Sequence, residues 1–177
     1  MIARRLIWTP LLLMLFSGGC ACYQIGARTL YRPDIQSVYV PMFVSESFRP
    51  GLGERLTEAV VNEIEATTPF KVVSQEMADS TLSGELIGDQ KSVIAENGLD
   101  EARIIQANLT VVYRWTDSRG NPLQQPLSLS LAPALAADTL NVSSKYVPES
   151  GQTMSIAQEE AIRDLAVQIV RNMQAPW

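Results

Sequence analysis

Two thiols, Cys20 and Cys22, are the side chains whose type and spacing most plainly suggest chemistry, and they are the chain's only cysteines. With a single residue between them they could hardly bond to each other without strain, because a disulfide fixes both the Cα separation and the Cβ directions. A metal pair would need more soft or nitrogen ligands. The chain has no His and no third Cys, so a zinc site is not expected. Covalent processing is the chemistry that remains. The lack of His also removes every imidazole general base and triad, and no G-x-S-x-G, P-loop or G-x-G-x-x-G pattern occurs. Acid pairs such as Asp100-Glu101 and Glu159-Glu160 are sequence neighbours, which point different ways on any regular element. The sequence is that expected of a non-enzyme, with no cofactor and no metal.

The residues before the thiols say what the processing is. Arg4 and Arg5 precede an 11-residue apolar run, 6–16, broken by Pro10 and followed by the small residues Ser17, Gly18 and Gly19. Charge, short apolar core and small-residue site are the layout of an export signal, and the run is far below the roughly 20 residues of a membrane span. The arginine pair alone is a weak hint of twin-arginine export. Ser17-Gly18-Gly19-Cys20 resembles a bacterial lipobox, in which the Cys becomes the lipidated first residue. It departs from that pattern at Ser17, where Leu is usual, which keeps Cys22 as a second register and an ordinary cleaved signal as the alternative. Several acyl chains, each buried methylene contributing about 0.8 kcal/mol, would anchor the protein stably. In the lipoproteins it resembles, an Asp after the Cys retains the protein at the inner membrane; here Ala21 follows, which implies the outer membrane.

The expected organisation is a signal peptide over 1–19, a lipidated tether over 20–36 and a single domain over 37–177. Losing Arg4 and Arg5 takes the balance from 14 basic against 19 acidic residues to 12 against 19, a net of −7. That argues against nucleic-acid binding, which needs a basic footprint.

The elements that follow predict the fold. "SVYVPMFV", 37–44, is β-branched and aromatic with apolar residues on both faces, as a strand buried on both sides would be. Pro41 belongs at its end or at an edge. Leu52, Leu56, Val60 and Ile64 recur as the stripe of an amphipathic helix, stopped by Pro69, and "FKVV", 70–73, reads as a strand. Strand, helix and strand so closely spaced predict a parallel crossover. "RPGLGERL" at the helix start reads as turn and cap rather than a phosphate loop. "STLSGELIG", 80–88, and "RIIQANLTVVYRW", 103–115, alternate apolar and polar, the mark of strands with one buried face. "DSRGNP", 117–122, is turn chemistry leading into "LQQPLSLSL", and 132–150 carries no assignable pattern. Ser155 and Gln158 have capping-box spacing, Ala161, Leu165, Ile169 and Met173 form a stripe with Ile162 beside it, Glu159 and Arg163 stand in favourable i, i+4 order, and Pro176 ends the helix. The expectation is an α/β two-layer sandwich, β-α-β-β-β-α, with two helices on one face of a mixed, mostly antiparallel sheet.

Taken in order, these residues resemble an LptE-type lipoprotein, most like the family's divergent members. The resemblance rests on "CACYQIG" after the lipobox, "IQSVYVPMFVSESFRPGLGERLTEAVVNEIEATTPFKVV" at 35–73, "ADSTLSGEL" at 78–86 and "DLAVQIVRNMQAPW" at 164–177. It implies an α/β sandwich seated in the lumen of an LptD-type outer-membrane β-barrel, acting as plug, assembly aid and lipopolysaccharide-binding surface. Lipid phosphates would need local cations. Arg114 on the polar face of its strand, Arg119 in the following turn and Lys91 on the preceding strand or its end are the candidates, expected to converge across adjacent strands. A different class competes: a lipoprotein regulating a periplasmic cell-wall enzyme, since LpoB and CsgG-like proteins also open with a Val-x-Val-Pro-x-Phe-like strand and a helix. That role needs a long tether, whereas only residues 23–36 precede the first strand, at no more than ~3.5 Å each. A periplasmic ligand-binding module is a third reading, without an obvious polar pocket group.

Overall fold

The computed structural model describes residues 30–96, 98, 102–123 and 137–174. Among these, strands β1 (Ser37–Tyr39) and β2 (Val44–Ser45) precede helix α1 (Leu52–Thr67), and β3 (Lys71–Val72) follows it. The long strands β4 (Ser80–Glu96) and β5 (Ala102–Asp117) come next, then β6 (Asp138–Tyr146) and helix α2 (Met154–Arg171). The sheet order is β3-β1-β4-β5-β6, with β2 also pairing β4. β1 runs parallel to β3 and β4, and β2 parallel to β4, while β4–β5 and β5–β6 are antiparallel. This is the expected two-layer sandwich on a mixed sheet, with six strands rather than four: 37–44 forms two short strands, β1 and β2, and β6 is added.

Helix α1 buries Leu52, Leu56, Val60 and Ile64 to 2 % exposure or less. It ends where proline requires. Thr68, before Pro69, is extended, and both its N–H and its hydroxyl donate to the Ile64 carbonyl, at 3.0 and 2.7 Å. On α2, Ala161, Ile162, Leu165 and Ile169 are all buried, as is Met173 just past its end. The capping box is not formed. Thr153 is the N-cap and accepts from the Ile156 N–H at 3.4 Å. Ser155 lies inside the helix, and Gln158 is drawn inward to Asp89 instead. Glu159 pairs across the helix layer with Arg55 of α1.

Because both helices lie on one side, residues 37–44 are not buried on both faces as expected. Val38, Val40 and Phe43 are buried, but Met42 is 65 % and Val44 60 % exposed. Pro41 sits in the break between β1 and β2. Residues 30–36, expected in the tether, belong to the domain: Tyr31 and Ile35 are buried, and the Tyr31 ring meets Phe70 edge-on at 5.3 Å. β6 lies in the stretch without a pattern. Its inward positions include Asp138 and Ser144, so apolar alternation does not mark it. The proposed strand after the turn falls, from residue 124 on, outside the described residues, as does Pro176.

Candidate functional site

Among the described residues the sheet has one face under helices and one face open, and the open face is the first candidate surface. On β5 the odd positions Leu109, Val111, Tyr113 and Trp115 are buried towards the helices. The even positions therefore point the other way. Cross-strand partners share a face, so the register places Thr81, Ser83, Glu85, Gly88, Gln90 and Ser92 of β4 on the open side, opposite Thr116 to Gln106 of β5. Thr139, Asn141, Ser143 and Lys145 of β6 continue it. Between Thr81 and Ser92 and their partners the charged members are Glu85, Arg114 and Lys145; most of the others are hydroxyls and amides. Several bond to one another: Gln106 Nε2 to Asn108 Oδ1 at 2.6 Å, Asn108 Nδ2 to Ser92 Oγ at 3.3 Å, and Asn141 Nδ2 to Thr110 Oγ1 at 2.7 Å. Such a face is wettable, carries little net charge and is rich in both donors and acceptors.

The predicted cations are split by one residue. Arg114 is exposed on the open face, opposite Ser83, where it lines a shallow cavity of about 230 Å³ with Val44, Glu85 and Val112. Arg119 is in the turn after β5; its N–H donates to Asp117 Oδ1 at 2.8 Å. Hydrogen bonds from the Asn121 side chain and backbone, helped by Arg119, hold the Asp117 carboxyl below the usual range. Lys91, however, pairs with Ala107, a buried residue of the helix-side face. The register slips between Leu86 and Gly88, so Ile87 is an extra residue in β4. A one-residue bulge exchanges the faces of everything beyond it. Without it, Lys91 would share the face of Ser83 and Arg114. With it, Lys91 lies on the other side, and seven positions along β5 separate the levels of the two cations, about 23 Å at ~3.3 Å per residue. The three do not converge. Cys20 and Cys22 lie outside the described residues.

The same bulge makes a feature the sequence did not reveal. Asp89 faces inward opposite Leu109, with its side chain only 4 % exposed. Its Oδ2 takes Arg49 Nε and Ser47 Oγ, each at 3.2 Å, and its Oδ1 takes Gln158 Nε2 at 3.2 Å. One carboxylate thus ties the β2–α1 loop and helix α2 to the middle of β4. Nothing in the local pattern of "IGDQK" marks Asp89 as inward-facing, and only the paired register reveals it.

At the opposite end the Asp79 carboxylate accepts from Ser37 Oγ and from the N–H groups of Gln36 and Ser37, at 2.8, 3.1 and 3.0 Å. The Ser37 hydroxyl, with those amides, holds its pKa below the ordinary value. Asp79 therefore fastens the point at which the N-terminal segment enters the sheet. Among the described residues no group of His, Cys, Asp or Glu could hold a metal ion, and no helix is long and apolar enough to cross a membrane.

Comparison with known proteins adds a family. The LptE model, described as lipopolysaccharide-assembly, matches residues 35–174. No curated protein matches the sequence. Among solved structures, lipoprotein B from Nitrosomonas europaea is 13 % identical with a TM-score of 0.53, over 84 % of this chain and 88 % of that one. A Xanthomonas campestris protein is 13 % identical with a TM-score of 0.50, over 82 % and 89 %. A minor lipoprotein from Acinetobacter baumannii is 17 % identical with a TM-score of 0.49, over 80 % and 98 %. At these identities the first two bear on the fold alone.

Proposed function

The chain belongs to the LptE lipopolysaccharide-assembly family, and on that premise we propose that it is a non-catalytic outer-membrane lipoprotein that partners and plugs an LptD-type β-barrel. The observation that carries this reading is the open sheet face. The interior of a large outer-membrane barrel is polar and water-lined, and a weakly charged face rich in hydroxyls and amides can bond to such a wall directly or through water. A strongly charged face would be more demanding of its partner, and an apolar one would be misplaced there.

The signal over 1–19 and lipidation at Cys20 belong to the same proposal. Tyr31 and Ile35 are packed in the core, so the lipidated tether is shorter than 20–36. Ten peptide steps from Cys20 to Leu30 reach no more than ~35 Å. A regulator that must cross the periplasm to a cell-wall enzyme would need far more, so this domain works beside its own membrane. For lipopolysaccharide, Arg114 and Arg119, towards one end of β5, are the pair we assign to lipid phosphates; Lys91 is a separate cation on the opposite face.

The test is a mild-detergent pulldown of tagged protein from outer membranes, with mass spectrometry of the partners. A stoichiometric large β-barrel, together with loss of surface lipopolysaccharide when the protein is depleted, is expected. A cell-wall synthase recovered without a barrel would overturn the proposal in favour of the regulator.

A further inference from the structure

The β2–α1 loop carries an aromatic ring in an unusual state. Phe48 is fully exposed, at 106 % of its reference area, yet its neighbours are tightly held. The Glu46 N–H donates to the Leu86 carbonyl at 3.0 Å, the Ser47 N–H to Ser45 Oγ at 3.3 Å, and the Arg49 N–H to Ser47 Oγ at 3.1 Å. Ser47 and Arg49 both bond to the buried Asp89 carboxylate. Ile87, the bulge residue, is 45 % exposed and lines a cavity of about 430 Å³ with Phe48, Gly88 and Gln90. A ring presented on a pinned loop loses little conformational freedom when it is covered, and a central aromatic with a polar surround is the pattern of a binding hot spot.

Position and charge select the occupant. The N-terminal stretch outside the described residues joins at residue 30, a few residues before Gln36 and Ser37, which Asp79 fastens. Phe48 sits beside Asp89, about ten residues further along β4, some 30 Å away at ~3.3 Å per residue. The membrane end and the aromatic are therefore far apart along the sheet. Glu46 and Arg49 both line the same cavity, so its rim carries both signs and offers no net attraction to an anionic lipid surface. We infer that Phe48 is the anchor of a protein–protein contact, entering an apolar pocket of the partner with Ile87 beside it. On the reading of the preceding section, on which this rests, that partner is the β-barrel.

The test uses full-length lipidated protein in outer membranes. A photo-crosslinking phenylalanine analogue is placed at Phe48 and, as a control, at Met77, which is 68 % exposed near the tethered end. Position 48 is expected to crosslink to the barrel and position 77 not to. In pulldowns, Phe48→Ala should cut recovered barrel at least tenfold and Phe48→Leu should retain most of it, with neither variant changing thermal stability. Crosslinking at 48 to phospholipid, to lipopolysaccharide or to a second copy overturns the inference. So does full barrel recovery with Phe48→Ala while the wild type brings the barrel down, and that outcome leaves the barrel reading intact. A wild-type pulldown without a barrel sinks both.

Discussion

Gly84→Ala separates two physical arguments by the sign of its effect. In a strand interior, replacing Gly by Ala removes backbone freedom from the unfolded chain, and on that ground alone should stabilise by roughly 0.5–1 kcal/mol. The structure argues the opposite. A Cβ at Gly84 would lie 2.2 Å from Cε1 and 2.6 Å from Cδ1 of Phe43, where carbon contacts normally start near ~3.5 Å. The ring would have to retreat by more than an ångström, and it has nowhere to go. Phe43 is 2 % exposed. Its N–H donates to Thr57 Oγ1 at 2.9 Å, and its carbonyl oxygen already lies 2.3 Å from where a Cβ on Gly53 would be. Overpacking of this kind costs about 1–3 kcal/mol, occasionally more, and expelling the ring would cost about 3–5 kcal/mol. After the entropic gain, a net loss of about 2 kcal/mol is expected, a fall in Tm of about 4–8 °C for a domain of this size. Urea and thermal denaturation of purified protein measure it. Gly98→Ala serves as the control, because its Cβ meets nothing within 4 Å. Adding Phe43→Leu to Gly84→Ala should recover part of the loss. If Gly84→Ala is as stable as the wild type or more so, the packing argument is wrong.

Cys20→Ala should abolish acylation while Cys22→Ala preserves it, read by metabolic labelling with an alkyne fatty acid; the reverse pattern would move the processing site to Cys22. Burial first, then the nearby Asp138 charge, pushes the Tyr113 hydroxyl up to about 12, whereas the unfolded chain releases that proton near 10. Stability should therefore fall as pH rises through that window, and a Tyr113→Phe variant should lose that part of the alkaline slope in urea melts. Asp89→Ala leaves the Gln158 amide, 5 % exposed, without its carboxylate acceptor, while Arg49, 43 % exposed, rehydrates. A cost of about 1–3 kcal/mol with faster proteolysis within 46–50 is expected, and equal cleavage rates would show that Asp89 does not pin the loop.

What could be read from sequence was what depends on near neighbours. The four-residue recurrence of α1 needs only the helical repeat, and Leu52, Leu56, Val60 and Ile64 are all in the core. The alternation of β5 was clear for the same reason, since Leu109 to Trp115 keep one face apolar. β6 failed because two of its inward positions are polar: Ser144 bonds to Glu160 of α2, and Asp138 stands 3.5 Å from the Tyr113 hydroxyl. The capping box failed because the helix starts two residues earlier than Ser155: with Thr153 as the N-cap, Gln158 lies too far into the helix to reach back, and it faces Asp89 instead. Residues 30–36 looked like tether because nothing local says that Tyr31 will find Phe70, which is far away along the chain.

The candidate surfaces were illegible for one structural reason. Strand periodicity assigns a face to each residue only while the count stays in register with the partner strand, and a bulge is a property of the pair rather than of either strand. Ile87 resets that count. Before it, Ser83 and Glu85 face the open side; after it, Asp89 and Lys91 face the helices, although all four are odd-numbered. The inserted residue therefore supplies the buried carboxylate that holds the β2–α1 loop, removes Lys91 from the face of Arg114, and leaves its own apolar side chain beside Phe48. The expected convergence of Lys91 with Arg114 is undone by this inversion, and the same inversion built the support under the exposed aromatic. The open face is left neutral over its middle, with Arg114 towards one end and Lys145 towards the other. That distribution suits a long contact with a polar wall, with Arg114 and Arg119 left at one end for lipid phosphates.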